Sequence, residues 1–391
     1  MSRRRFPRSV ALGMLVIVSV TLSVAAADLL MDTVEHRRQA PFYTNLTPAE
    51  LAKLPVVTSG TITGAYVDEI TDLAFHEAGT PWLWAGQRQG SIEFLVKGRW
   101  NNIGCHDDRD YPYSSRPAVL FAGDSFIETM QLDVRDTFYD RLRHDRFGER
   151  FDVWACGAAG FHASRAARYF DNDPKATEVP AFRRLASLRP TYVMYVVYMG
   201  NDLRDEAGSW FEDAEGHGAP CAPRLEPGQS FLWFRVRQVA DMYLTPGGAD
   251  VRCLNNSFWP YVKTRIPAVE EGWRSMFEGL DRLNRTVTRR GGTLLVGMIE
   301  PFPVPYGSFA MARAIRANYP GGKALPLDLA LPHTRLAAFA ASRGIAFVDF
   351  SEALRGCGGR DHYYPSDSHF NAVGHRCVAA YIDAHQDTLF P

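Results

Sequence analysis

Ala118-Val119-Leu120-Phe121-Ala122-Gly123-Asp124-Ser125 is the stretch that decides the fold. Its unbroken apolar run suits a strand buried on both faces, as strands of a parallel sheet are. Gly-Asp-Ser directly behind it puts a serine hydroxyl on the turn where strand gives way to helix. That turn lies at the carboxyl edge of the sheet, where backbone N–H groups point the same way. Alone, Gly-Asp-Ser is an ordinary turn. Its meaning depends on what the other strand ends supply.

Four further runs read as strands: 151–155, 191–199, 293–299 and 345–350, with the first strand taken as 117–122. Helical spacing separates them. Val269, Trp273, Met276, Phe277, Leu280, Leu283 and Val287 recur every three or four residues behind Pro267, and Gly291-Gly292 closes that segment. Leu336 to Ala341 and Ala372 to Ile382 read as two more helices. Strand alternating with helix predicts an α/β fold: a doubly wound, mostly parallel five-stranded sheet with helices on both faces. Residues 203–265 interrupt the alternation and are rich in aromatics, among them Trp210, Phe211, Trp233, Phe258, Trp259 and Tyr261. They read as an insertion whose aromatics mostly pack it onto its own domain.

The chain has 391 residues, 46% hydrophobic and 22% charged, enough for one large domain or two modest ones. A net charge of −1 argues against nucleic-acid binding, which needs a basic surface. Arg3, Arg4, Arg5 and Arg8 precede an uncharged stretch from Ser9 to Ala27, the layout of an export signal. Residues 1–27 are therefore expected to be a signal peptide or a signal anchor, with the rest of the chain outside the cytoplasm and membrane contact confined to this segment. Residues 28–112 carry few periodic patterns and read as an extension packing on a main domain at 113–391. None of the six cysteines forms a C-x-x-C pair, so a zinc site is not expected. Cys221 with Cys253 and Cys357 with Cys377 are candidate disulfides, although six cysteines allow 15 connectivities and the pairing stays open.

The remaining strand ends hold Cys156-Gly157-Ala158-Ala159-Gly160, Gly200-Asn201-Asp202, and the loop Tyr364-Pro365-Ser366-Asp367-Ser368-His369 before the last helix. A serine nucleophile needs an imidazole to take its proton, a carboxylate to hold the imidazole, and donors for the oxyanion. His369 fits the base and Asp367, two residues earlier, its orienting carboxylate. Gly157 lacks a Cβ, so its N–H can approach a substrate oxygen, and the Asn201 amide can donate. Each motif also has a bland reading: turn glycine, helix cap or solvated histidine.

Together, Gly123-Asp124-Ser125, Gly157, Gly200-Asn201-Asp202 and Asp367-x-His369 resemble, in order, the sequence blocks of the SGNH (GDSL-type) hydrolases. Asn101-Asn102-Ile103-Gly104-Cys105 is similar to a segment preceding the nucleophile block in exported members. The resemblance implies a flavodoxin-like α/β fold, Ser125 as nucleophile, His369 as base and Asp367 as its orienter. It also implies an oxyanion hole from the N–H groups of Ser125 and Gly157 with the Asn201 amide, and no metal or other cofactor. Many members carry the aspartate three residues before the histidine, where this chain has Ser366; Asp-x-His spacing resembles the polysaccharide O-acetyltransferase branch. The implied activity is hydrolysis of an O-acyl ester, with acetyl on a carbohydrate as the expected group, from a small-molecule or polysaccharide substrate. The alternatives are a polysaccharide O-acetyltransferase, with a membrane acyl-donor partner, and an inactive carbohydrate-binding protein.

Overall fold

Each apolar run predicted as a strand is one in the computed structural model, with ends shifted by two residues at most. The described residues are 78–79, 81–88, 91–176, 179–208, 233, 256–263, 265–307, 327–359, 361–364 and 367–391. The chain begins there with an antiparallel hairpin, β1 (Pro81–Arg88) and β2 (Ser91–Arg99), whose register shifts at Gly86/Gln87. The main sheet follows as β3 (Ala118–Gly123), β4 (Asp152–Gly157), β5 (Tyr192–Tyr198), β6 (Thr293–Ile299) and β7 (Ala346–Asp349). All neighbours in it pair in parallel, in the order β4-β3-β5-β6-β7. Residues of β3, β4 and β5 are almost all buried, as sheets covered on both faces require.

Short helices α1 (Ser125–Glu128), α2 (Phe138–His144) and α3 (Arg146–Arg150) lie between β3 and β4. Next come α4 (Ala163–Phe170), α5 (Asp202–Ala207), the long α6 (Pro267–Arg289), α7 (Leu331–Ser342), α8 (Phe350–Cys357) and α9 (Ala372–Leu389). Two large apolar clusters result. One sets α4, α6 and α7 on Leu120, Val193 and Val296; the other sets α2, α8 and α9 on Val119, Phe121 and Met194. Helices therefore cover both faces, as doubly wound topology demands. The order in which strands are added reverses between β3 and β5, and such a switch point opens a crevice beyond the carboxyl ends of those strands. Ser125 and Asn201 follow these two strands directly.

Two segments depart from the sequence reading. Part of the stretch read as an extension holds the hairpin and a loop joined firmly to β4. In that loop Cys105 forms a disulfide with Cys156, and the Tyr111 hydroxyl accepts from Ala155 N at 3.0 Å. The Asn101 side chain orders the same loop, accepting from Ile103 and Cys105 N. The insertion is shorter than expected within the described residues, because α5 and a turn at Asn256–Tyr261 pack into the main core through Leu203, Phe258, Trp259 and Tyr261. Cys357 pairs with Cys377 as anticipated. Cys221, Cys253, the 1–27 segment, and Trp210 and Phe211 lie outside the described residues. Among the described residues, no helix is long and apolar enough to cross a membrane.

Candidate active site

The nucleophile turn is built by local hydrogen bonding. Asp124 caps α1: its Oδ1 accepts from Phe126 N at 2.9 Å, and its carbonyl accepts from Ile127 and Glu128 N at 3.0 Å. Ser125 is thus the first helical residue, where the backbone N–H has no acceptor within the helix and is available to an oxyanion. The helix lasts one turn. Thr129 stops it in the left-handed region, φ 54°, its N–H bonded to the Ser125 carbonyl at 3.0 Å.

Gly157 ends β4 against the back of this turn. A Cβ there would lie 2.4 Å from Glu128 N and 2.5 Å from the Asp124 carbonyl, both backbone atoms that cannot rotate away. The structure thereby assigns Gly157 a packing role that the turn-former and oxyanion readings had not included. Gly157→Ala is expected to destabilise the protein by about 3 kcal/mol or more, the scale of overpacking against backbone. Chemical denaturation would show it, and an unchanged midpoint would refute the close approach.

The histidine arrives on a loop from the same face of the sheet as α1. The loop carrying Asp367 and His369 runs between α8 and α9, whose Cys357 and Cys377 are joined by the disulfide. Tyr364 N donates to the His369 carbonyl at 2.8 Å, and Asn371 N to the His362 carbonyl at 3.0 Å. Asn371 also caps α9, accepting from Val373 and Gly374 N. The His369 ring lies 4.7 Å from that of Phe126.

These elements bring the three expected residues together. His369 Nε2 is 2.8 Å from Ser125 Oγ, and His369 Nδ1 is 2.5 Å from Asp367 Oδ1. Asp367 also accepts from His369 N at 3.2 Å. Burial favours a neutral Asp367 carboxyl, but the charge and hydrogen bonds of His369, with a bond from the Gln131 side chain, outweigh it and hold the carboxyl below its ordinary value. Burial likewise favours neutral His369, yet the charge and hydrogen bond of Asp367, helped by Asp124 and Glu128, raise it above the ordinary imidazole value. Asp124 is the opposite case. Burial pushes it up to about 7 despite the Phe126 N–H and His369, which leaves Asp367 as the ionised partner of the ring.

Asn201 opens α5 without capping it, and its side-chain Oδ1 is buried with no partner among the described residues. The helix-cap reading of this residue therefore fails, and its amide is not engaged by the helix. His162 likewise makes no cap bond at the start of α4. Its Nδ1 instead lies 3.2 Å from Glu206 Oε1, while Glu206 accepts from Ser164 N at 2.8 Å and Ser275 Oγ at 2.7 Å. These contacts tie α4, α5 and α6 together below the crevice. His375 is buried and accepts from Phe138 N at 3.1 Å; burial lowers it to about 3, so it packs as a neutral ring. Ser366 lies outside the described residues. Cys357, His362 and Cys377 have ligand atoms within 4.8 Å of one another, but the two sulfurs are bonded to each other. One residue the motifs did not point to is Gln131, whose Nε2 is 3.2 Å from His369 Nδ1.

No protein-family model matches the chain, and no curated protein matches it. Solved structures similar to it include TesA, 13% identical, covering 70% of this chain and 99% of that chain with a TM-score of 0.37. A GDSL-like lipase from Bacteroides thetaiotaomicron is 12% identical, covering 72% of this chain and 92% of that chain with a TM-score of 0.34. A carbohydrate acetylesterase family member from Sinorhizobium meliloti is 12% identical, covering 70% and 98% respectively with a TM-score of 0.34.

Proposed function

We propose that this chain is a serine ester hydrolase of SGNH type, acting outside the cytoplasm on a short O-acyl ester, acetyl on a carbohydrate. The observation that carries the reading is the continuous relay Ser125 Oγ–His369 Nε2 and His369 Nδ1–Asp367 Oδ1, at 2.8 and 2.5 Å. Ser125 Oγ attacks the ester carbonyl as His369 takes its proton; the oxyanion forms against the Ser125 N–H, the Gly157 N–H and the Asn201 amide. His369 then protonates the leaving alcohol. Water, deprotonated by the same ring, attacks the acyl-serine and releases the acid.

Two disulfides, Cys105–Cys156 and Cys357–Cys377, support an oxidising compartment, as does the basic and then apolar N-terminus.

The test is to incubate the protein with an acetylated oligosaccharide and, separately, with a soluble acetyl donor plus deacetylated oligosaccharide. Free acetate from the first mixture is the expected result. Acetyl transfer to the sugar with no free acetate would replace the hydrolase by an O-acetyltransferase, for which an acyl-donor partner at the membrane would then be sought. Neither product, together with failure of a fluorophosphonate to label Ser125, would leave a carbohydrate-binding protein.

A further inference from the structure

Gln131 belongs to none of the motifs, yet it sits at the centre of the relay. It is buried, with 6% of its surface exposed, and its amide nitrogen is 3.2 Å from His369 Nδ1. Nδ1 has a single hydrogen, and that hydrogen goes to Asp367 Oδ1. With Nδ1 carrying that hydrogen, the neighbouring group that can accept from the Gln131 amide is the Asp367 carboxylate, whose Oδ1 is 2.5 Å from the same Nδ1. The backbone that delivers this amide is held on both sides. Thr129, in its left-handed conformation, turns the chain back after α1, and Leu132 N donates to the Thr129 carbonyl at 3.1 Å. The Tyr364 hydroxyl donates to the Gln131 carbonyl at 3.1 Å, and the Tyr364 ring packs 5.1 Å from that of Phe94 in β2.

We propose that Gln131 is a positioning residue: its amide donates to the Asp367 carboxylate and fixes it, and through it the His369 ring, in the orientation that hydrogen-bonds Ser125. The inference rests on the triad reading above and deepens it. In Asp-x-His spacing only Ser368 separates the carboxylate from the ring, and Ser368 is itself strained at φ 67°. A short tether of that kind leaves the carboxylate able to turn away unless a second group holds it. Gln131 is that group, supplied from the nucleophile's own side of the crevice.

Two substitutions of similar volume test this. Gln131→Met removes the donors, and Gln131→Glu replaces them with a carboxylate beside Asp367. In Gln131→Met, kcat is expected to fall about tenfold, the worth of one hydrogen bond to a charged group, with KM changed less than twofold. The acid limb of kcat should move to lower pH, because a carboxylate free to turn away no longer raises the ring as far. Gln131→Glu should move it the other way, to higher pH, since a second negative charge favours the protonated ring. Titration of the His369 ring by NMR reads the same shifts without turnover. If the ring titrates as in the wild type in both variants, Gln131 only packs and the proposal is overturned, whatever happens to the rate. If the ring shifts as stated while the wild type neither turns over esters nor labels at Ser125, Gln131 still orients the dyad and it is the hydrolase reading that fails.

Discussion

Ser125→Ala is expected to reduce kcat for acetyl-ester hydrolysis by about 10⁴ to 10⁶, the range seen when a triad nucleophile is lost. The fold should be untouched. Asp124 still caps α1 through Phe126 N, and the Ser125 side chain bonds to the His369 ring. The melting temperature should therefore stay close to that of the wild type, and fluorophosphonate labelling should vanish. Activity retained within a factor of ten would remove Ser125 from the mechanism. The pH profile of the wild type offers an independent check. Only neutral His369 accepts a proton, and Asp367 raises that ring above 6.5 despite its burial. The acid limb of kcat/KM should accordingly have its midpoint above pH 6.5, not at or below it. Stability runs the other way: the His369–Asp367 ion pair contributes fully below pH 6.5 and is lost as pH rises through the raised value.

The parallel sheet was legible because its strands are continuous apolar runs with nothing else to become. Val119–Ala122 and Leu294–Ile299 could only be buried on both faces, and they are. Pro267 and the Gly291-Gly292 pair marked the limits of α6 to within two residues. The hairpin Pro81–Arg99 was missed since an isolated antiparallel pair takes its stability from whatever it packs on, here Met130 and Tyr364, and not from its own periodicity. The Cys105–Cys156 bond was beyond reach for a related reason. Its partners are separated by 51 residues and meet only once a loop folds back along β4. In the site, strand-end placement made Ser125 and Asn201 readable, and the Asp-x-His pair before the last helix did the same for His369. Gln131 was not, because a left-handed Thr129, a conformation no residue type announces, aims the segment that carries it. Gly157 was picked out for its missing Cβ, and the structure gives that absence a firmer cause in the nucleophile turn packed against it.

Asp367→Asn separates the two positions from which an orienting carboxylate could act. An asparagine keeps the size of the side chain but presents either an amide that repels Nδ1–H or an oxygen with no charge. The ring then loses both its tautomeric preference and the stabilisation of the imidazolium that forms during attack, and kcat is expected to fall about 10⁴-fold. Removing Asp367's charge also takes away the main influence that raises His369. Burial then prevails, and the residual activity should have its acid limb displaced to lower pH, further than in Gln131→Met. The alternative of an aspartate three residues before the histidine is tested by the complementary experiment, Ser366→Asp in the Asp367→Asn background. Here the carboxylate at 367 already accepts from both His369 Nδ1 and His369 N, a pairing set by the backbone of the two-residue tether. A carboxylate one residue earlier starts from a different point on that loop, so the double variant should recover less than a tenth of the lost rate. Recovery to within tenfold of the wild type would mean that the loop carries the aspartate equally well from either position, and that Asp-x-His spacing has no bearing on how this site holds its histidine.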